Sequence, residues 1–305
     1  MKRVVSVSLG SAKRDHMVVT EILGEKFSIE RIGTNGDVKK AMEMISAFDG
    51  KVDAIGLGGT DLYIYAGGKR YAFRESIKLK NCARLTPVVD GSSLKNTLER
   101  RVIYYLEKKM NFSFMGKKVL MVSAVDRFGM AEAFCNVGAN VIFGDLMFGL
   151  GVPIPIYSFK TLSRVARIVA PLIVNLPIKM LYPTGPKQEV HCPKHEKYYR
   201  EAEIIAGDFL FIKKHMPAEL PEKTIITNTV TPNDIEDLKR RGVAVLVTTT
   251  PELNGRSFGT NVMEGVLVAL AGKRPEELTP DNFNTLLDRI DFIPRIENLK
   301  LRKDA

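Results

Sequence analysis

The sequence predicts an α/β protein of two domains, and three observations support this prediction. The chain has 305 residues, about twice the length of a common domain. Its 45% of hydrophobic and 26% of charged residues are typical of a globular protein with a buried core. From Gly116 onward, apolar runs of strand length alternate with segments of helical periodicity, as in a parallel sheet flanked by helices.

The N-terminal part predicts an α/β domain with hairpins. β-branched runs predict strands, and "LYIYAGGKRYAF" has the alternation of a hairpin. Apolar residues at helical spacing predict the helices. The predicted order is a strand at 3–9, two strands turning at Gly24, a helix at about 37–48, a strand in "VDAIGLGG", a hairpin at Gly67-Gly68, and helices at about 76–84 and 93–110. This domain is expected over residues 1–112.

The C-terminal part predicts a Rossmann-like parallel sheet over residues 113–275. Its strands are expected at 118–125, 140–144, 203–207, 224–229 and 243–249. Its helices are expected at about 129–137, 158–170, 194–202, 231–241 and 259–272. Residues 276–305 are expected to form a helical tail.

Composition narrows the class of partner. The net charge of +10 suits anionic ligands, but the basic residues are dispersed and no nucleic-acid-binding motif is found. No run reaches the roughly 18–20 apolar residues that span a bilayer. Three widely spaced cysteines predict no disulfide framework. We therefore expect a cytoplasmic protein that binds a small anionic or polyol substrate and binds neither nucleic acid nor membrane. The protein could form a homodimer. The charged composition would also suit a thermophile.

The segment "VLMVSAVDRFGMAEAFCNVGANVIFGD" has the layout of a dinucleotide-binding unit. Where such units have three glycines, it has Ala124, Asp126 and Gly129, with Arg127 beside Asp126. Asp145 ends the second strand about 20 residues on, where an acid would bind a ribose hydroxyl. This acid favours NAD over NADP, which is not excluded. A Rossmann-type unit that binds nothing at this turn is the alternative.

The segments "VVDGSSLKNTL" and "GKKVLMVSAVDRFG" resemble the shikimate and quinate dehydrogenase family in order and spacing over roughly residues 85 to 145. The resemblance implies a substrate-binding aspartate at Asp90 and a nicotinamide cofactor at the 124–129 loop. The family's lysine segment has no match, and Lys95 is the candidate for its lysine. Ser6 and Ser8 lie where that family has a substrate-binding Ser-x-Ser motif.

These residue types suit the removal of a proton and a hydride from an alcohol. A lysine whose pKa is lowered by burial, oriented by an aspartate, can act as the general base. Asp90 can equally cap the helix that follows it, because aspartate is a preferred N-cap residue. The two roles are compatible, and the sequence leaves both open.

A third region, "VLVTTTPELNGRSFGTN", follows another predicted strand. Ligands of parallel sheets bind beyond the carboxyl ends of strands, which makes Thr249 a candidate cofactor contact and Asn254 a candidate substrate contact. Arg256 could anchor a carboxylate or phosphate. A surface loop with a Thr260 cap is the alternative.

Two other patterns are weaker. The turn Gly58-Gly59-Thr60-Asp61 could bind an anion through its backbone amides or simply turn the chain. "HCPKH" offers three potential metal ligands without the paired spacing of a zinc site, so no metal is expected.

The sequence hypothesis is an NAD(P)-dependent oxidoreductase acting on a small polyol or hydroxy acid. The alternative is a two-lobed binding or sensor protein without chemistry.

Overall fold

The computed structural model describes residues 1–66, 69–181, 190–253 and 256–300, which fold into two units. The first unit comprises Met1–Thr97, Ile168–Glu189 and Phe258–Phe292. The second comprises Leu98–Arg167, Val190–Ser257 and Ile293–Ala305. Each unit has a largely parallel sheet and helices, which confirms the predicted α/β class with two domains.

The strands and helices alternate along most of the chain. The strands are Lys2–Ser8 (β1), His16–Ile22 (β2), Glu25–Gly33 (β3), Ala54–Gly58 (β4), Tyr63–Ala66 (β5), Lys69–Ala72 (β6), Val88–Val89 (β7), Lys118–Met121 (β8), Asn140–Phe143 (β9), Ile204–Gly207 (β10), Thr224–Thr227 (β11), Val245–Thr248 (β12), Glu252–Leu253 (β13), Arg256–Ser257 (β14) and Arg295–Asn298 (β15). The helices are Val38–Phe48 (α1), Arg74–Lys80 (α2), Ser92–Lys109 (α3), Phe128–Asn136 (α4), Phe159–Ile173 (α5), Ile178–Leu181 (α6), Glu196–Glu201 (α7), Phe209–His215 (α8), Pro232–Arg240 (α9), Thr260–Ala271 (α10) and Pro280–Arg289 (α11).

The sheet of the first unit has the order β2-β3-β1-β4-β7. The strands β3, β1, β4 and β7 are parallel, and β2 pairs antiparallel with β3. Leu23 and Gly24 turn this hairpin with positive φ angles of 53° and 78°. β5 and β6 form a separate antiparallel ribbon, as predicted, although Gly67 and Gly68 at its expected turn lie outside the described residues. Because successive strands lie on both sides of β1, the order of connections reverses between β1 and β4.

Side chains alternate between the two faces of β1 and so contact different helices. Val5 and Val7 on one face belong to an apolar cluster that includes Ile45 of α1. On the opposite face, α10 packs on β1, β4 and β7. A Cβ atom at Gly265 would lie 2.9 Å from Val4 Cγ1, and one at Gly56 would lie 3.0 Å from Asn261 Nδ2. Glycine at these positions allows the helix its close approach to the sheet.

The second unit has a six-stranded sheet in the order β15-β12-β11-β10-β8-β9, in which β15 is antiparallel to β12 and the others are parallel. The order of connections reverses between β8 and β10, the position at which doubly wound sheets bind ligands. One apolar cluster, which includes Leu120, Ile205, Phe209 and Leu246, forms the core of this unit. The predicted Rossmann-like sheet is confirmed.

The domain boundaries differ from the predicted ones. The helix predicted at 259–272 forms as α10 but belongs to the first unit, so residues 113–275 are not one domain. It follows β12 in the chain and therefore resembles one more strand–helix repeat in the sequence. Its buried apolar residues and Gly265 instead match the sheet of the first unit.

The tail was also predicted incorrectly in part. Within 276–305, α11 packs in the first unit, whereas β15 is a strand that extends the second sheet beside β12. The segment "RIEN" is too short and too polar to indicate a strand, and pairing with the edge of β12 supplies its backbone hydrogen bonds. The sequence reading also omitted α8 and the π-helix at Asp145–Gly149.

A glycine substitution tests the packing of α10. Gly91 has a φ of +94°, and a Cβ atom there would lie 2.8 Å from the Asn261 backbone nitrogen. Gly91→Ala should therefore lower the free energy of unfolding by about 2–5 kcal/mol, because backbone strain adds to the steric conflict. Gly24→Ala is the control, since Gly24 has a φ of +78° and open space around it; it should cost only about 1–2 kcal/mol. Equal losses in urea denaturation would contradict the packing argument.

Candidate functional site

In the first unit, acidic residues follow two neighbouring strands. β4 and β7 are parallel and adjacent, so the residues after them lie at the same edge of the sheet. Asp61 comes three residues after β4, and Asp90 directly follows β7. Lys95, in the first turns of α3, forms an ion pair with Asp61 at 3.0 Å between Nζ and Oδ1. All three side chains are largely buried, with 8%, 6% and 8% of Asp61, Asp90 and Lys95 exposed.

Asp90 holds the start of α3. Its Oδ1 accepts hydrogen bonds from the Ser92 backbone N–H at 3.2 Å and the Ser92 hydroxyl at 2.8 Å. Its Oδ2 accepts one from the Leu62 N–H at 2.5 Å. Burial raises the pKa of Asp90, the negative charge of Asp61 raises it further, and Lys95 lowers it. The capping role is therefore observed, and the same carboxylate binds a proton more readily than an exposed one.

A third acid, Glu264 of α10, lies in the same cluster, with 1% of its surface exposed. Burial and the charge of Asp90 raise its pKa to about 8, while hydrogen bonds from the start of α3 at Leu94, Ser93 and Gly91 lower it. Glu264 is thus mostly protonated at neutral pH. The sequence reading missed it, although a single carboxyl in the apolar helix "TNVMEGVLVALAG" is the signal that could have revealed it.

The sequence reading named Asp61 only in an anion-binding turn and not as the partner of Lys95. Asp61 and Asp90 each follow a buried strand and have glycine and hydroxyl residues beside them. This shared pattern could have indicated that the two acids lie in the same site.

Ser6 and Ser8 lie on β1, on the face covered by α10, and both make hydrogen bonds within the protein. Ser6 Oγ accepts from Asn261 Nδ2 at 2.8 Å. Ser8 Oγ accepts from the Gly10 N–H and from Arg31 Nη2, each at 3.0 Å. They contribute to packing and to the turn after β1, and their substrate-binding role stays a prediction.

In the second unit, Asp145 lies against the turn after β8. Its Oδ1 accepts hydrogen bonds from the backbone N–H groups of Ala124 and Val125, both at 2.8 Å. Its Oδ2 is buried and has no hydrogen-bond partner among the described residues. Burial and the nearby charge of Asp126 raise its pKa to about 7, against the two amide hydrogen bonds. The turn and Asp145 are therefore in contact, and two backbone amides of the turn donate to the carboxylate of Asp145.

Arg127 points into the unit and is only 2% exposed. Its guanidinium pairs with the fully buried Glu99 and, at 3.1 Å, with Asp208, which follows β10. This ion-pair network lies where the connections of the sheet reverse. Arg127 Nε also lies 3.8 Å from Asp126 Oδ2, so its charge is shared among three carboxylates of the protein, and a cofactor-binding role for Arg127 stays a prediction.

The remaining predicted residues are dispersed. Gly129 is buried in the first turn of α4, and the side chain of the N-cap residue Arg127 makes no cap hydrogen bond. Thr249 follows β12 and is fully buried, and its hydroxyl has no hydrogen-bond partner within residues 1–66, 69–181, 190–253 and 256–300. Arg256 pairs through its backbone with Leu253, and its side chain is not described. Asn254 lies outside the described residues.

The histidine-rich segment provides no metal site in the part of the chain that the structure describes, where no three His, Cys, Asp or Glu side chains group to hold an ion. His191 Nε2 bonds to the Met216 carbonyl at 2.9 Å, and His215 Nδ1 bonds to the Cys192 carbonyl at 3.0 Å. No helix within the described ranges is both long and apolar enough to cross a bilayer.

Removing Arg127 should be strongly destabilising. Arg127→Met leaves the buried carboxylate of Glu99 without its cation, and we expect a loss of about 3–5 kcal/mol in unfolding free energy. The double variant with Glu99→Met should recover much of this loss. Arg100→Met is the control, because its pair with Glu132 is 40% exposed on both sides and should contribute less than about 1 kcal/mol. Urea denaturation measures all three, and similar losses for Arg127→Met and Arg100→Met would refute the buried network.

Glu264 should make stability depend on pH. Its pKa is raised from 4.5 to about 8, so the folded state holds a proton that the unfolded state releases, and stability falls as pH rises from about 4.5 to 8. Glu264→Gln lacks this loss, so its melting temperature relative to the wild type should rise over that window and level off above it. Glu203→Gln is the control, because the pKa of Glu203 is lowered and its relative melting temperature should stay constant. A constant difference for both variants would contradict the assignment.

The chain has a low similarity to solved structures of several kinds. It is 12% identical to a hetero-hexameric glutamate dehydrogenase from Thermus thermophilus, with a TM-score of 0.42 over 95% of this chain and 74% of that chain. It is 12% identical to an NAD-dependent malic enzyme from Thermotoga maritima, with a TM-score of 0.34 over 95% and 84%. It is 9% identical to a glucose-galactose binding protein from Geobacillus stearothermophilus, with a TM-score of 0.38 over 99% of each chain. Likeness at this level assigns no ligand and no reaction.

No curated protein matches the sequence. Residues 3–90 match the family model described as a domain of unknown function, DUF8753. Residues 93–299, more than half of the chain, match the model of a second domain of unknown function, DUF8754, and the protein therefore belongs to the DUF8754 family.

Proposed function

We propose that the protein is an NAD(P)-dependent oxidoreductase that acts on a small polyol or hydroxy acid. The observation that carries this proposal is the buried group of Asp90, Asp61 and Lys95 at the carboxyl edge of a parallel sheet. A buried acid with a raised pKa, such as Asp90, beside a buried ion pair at such an edge is characteristic of functional sites. A purely structural role would be to anchor α3 to the sheet.

The oxidation of an alcohol to a ketone removes the hydroxyl proton and a hydride from carbon. Asp90 suits the proton step, because a base works best when its pKa is close to the working pH and burial shifts that of Asp90 upward. Lys95, held by Asp61, supplies positive charge beside the developing alkoxide. This division gives the base role to Asp90, whereas the sequence hypothesis gave it to the lysine.

The nicotinamide cofactor, when bound, would accept the hydride. Asp145 fits the ribose, because its buried Oδ2 lacks a partner within the described chain and can accept from a hydroxyl. The pyrophosphate would lie at the 124–129 turn, as it does in other dinucleotide-binding units. Thr249 offers a further unpartnered hydroxyl after β12. An acid at position 145 favours NAD over NADP.

The second candidate is a binding protein without redox chemistry. One observation favours it: the Ala124 and Val125 amides, which a dinucleotide-binding turn would offer to pyrophosphate, bind Asp145 instead. Arg127 is likewise turned inward.

Nucleotide binding and turnover together separate the two candidates. NAD or NADH should raise the melting temperature by mass action, and Asp145→Asn should abolish the rise. Asp49→Asn is the matched control, because Asp49 also accepts backbone amides in a loop, from Arg84, Leu85 and Thr86. It should leave the nucleotide effect unchanged.

With a polyol or hydroxy acid as substrate, Asp90→Asn and Lys95→Met should each lower kcat by about 100-fold or more, measured as NADH formation. Lys80→Met is the control, because Lys80 pairs with Glu276 at the surface. Absence of both nucleotide binding and NADH formation would leave the binding-protein candidate.

A further inference from the structure

We propose that the acidic cluster of the first unit takes a neutral polyol and excludes ligands that carry a carboxylate or phosphate, with Thr260 and Glu264 of α10 as hydroxyl-binding residues. This specificity rests on the proposed function in placing the substrate at Asp90. It selects between the two substrate classes that the proposed function leaves open.

Two buried polar atoms on α10 lack partners. Thr260 Oγ1 and Glu264 Oε2 make no hydrogen bond among the described residues, and the two residues are 5% and 1% exposed. They are four residues apart and so lie on one face of the helix. A Cβ atom at Gly91 would lie 3.1 Å from Thr260 Cβ, and the Gly91 N–H bonds to Glu264, so this face lies against the residue that follows Asp90.

Unsatisfied buried polar groups are rare because each costs free energy, and a ligand that bonds to them recovers this cost. A hydroxyl can donate to one oxygen and accept from another, so vicinal hydroxyls suit a threonine and a carboxyl group side by side. Asp90 adds a further carboxyl group nearby. The set of groups is therefore matched to a ligand that carries several hydroxyls.

The charges of the cluster disfavour an anion. Three carboxyl groups, those of Asp61, Asp90 and Glu264, accompany Lys95, whose ammonium already pairs with Asp61. Arg70, which reaches Tyr65 at the margin of the cluster, stacks on the Tyr63 ring at 4.3 Å. A carboxylate or phosphate entering this buried site would lose its hydration without recovering that cost from Lys95, which already pairs with Asp61.

Matched ligand pairs test the selectivity. Binding of D-sorbitol against D-gluconate, and of myo-inositol against quinate, is measured by titration calorimetry on the full chain at neutral pH without nucleotide. The members of each pair differ mainly in the carboxylate. We expect a neutral polyol to bind at least about tenfold more tightly than its acid, which corresponds to one decade in Kd.

Two variants locate the bound polyol. Thr260→Val removes the unpartnered hydroxyl at nearly constant volume, and Glu264→Leu removes the carboxyl group; both should weaken polyol binding about tenfold. Thr34→Val is the control, because Thr34 Oγ1 is also buried without a partner in the described chain. Thr34 follows β3, and β1 and β4 lie between β3 and β7, which places β3 about 14 Å from β7 across the sheet. Thr34→Val should therefore leave polyol binding unchanged.

Tighter binding of either acid, no binding of either polyol, or equal losses for Thr260→Val and Thr34→Val would each overturn the inference. These outcomes are distinct from failure of the proposed function. Polyol binding without NADH formation refutes the oxidoreductase and leaves the specificity standing. NADH formation from a hydroxy acid without polyol binding supports the oxidoreductase and refutes the specificity for neutral polyols.

Discussion

The close packing of α10 on the first sheet is the constraint on which the candidate site depends. Gly265 and Gly56 remove the side chains that would hold the helix away from β1 and β4, and Gly91 lets the start of α3 lie beside Thr260. Only at this distance does the carboxyl group of Glu264 reach the first turn of α3 and interact with Asp90. A single set of small residues thus governs both the fold of the first unit and the protonation of its buried acids.

Both units bury charge at the carboxyl edges of their parallel strands, but with different chemical consequences. In the second unit, Arg127 pairs with Glu99, Asp208 and Asp126. In the first unit, Lys95 pairs with Asp61, while burial raises the pKa of Asp90 and raises that of Glu264 to about 8. Buried ion pairs seldom add net stability, since desolvation offsets their attraction. The raised pKa values of two buried acids beside this ion pair are the property on which the proposed function depends.

The turn after β8 lacks two of the three glycines of a dinucleotide-binding turn, and two of its backbone amides donate hydrogen bonds to a carboxylate of the protein. Asp145 occupies the place expected for an acid that binds ribose, yet it also accepts the amides of Ala124 and Val125. With a pKa of about 7, its ionisation is balanced near neutral pH. A ligand group that donates a hydrogen bond to Oδ2 would favour the ionised form and lower this pKa.

The sequence by itself determined the elements whose signals are local. Strand–helix alternation predicted the parallel sheets, Gly24 predicted the turn between β2 and β3, and Asp90 before a serine-rich turn predicted the cap of α3. Asp90 and Lys95 could be named in advance because they lie within one short segment. The tertiary structure alone decided the rest, because those contacts join residues distant in the chain. It paired Lys95 with Asp61, brought Glu264 to Asp90 from more than 170 residues away, assigned α10 to the first unit and β15 to the second sheet, and turned Arg127 inward to Glu99. Periodicity records which face of an element is buried, but not against which element it is buried.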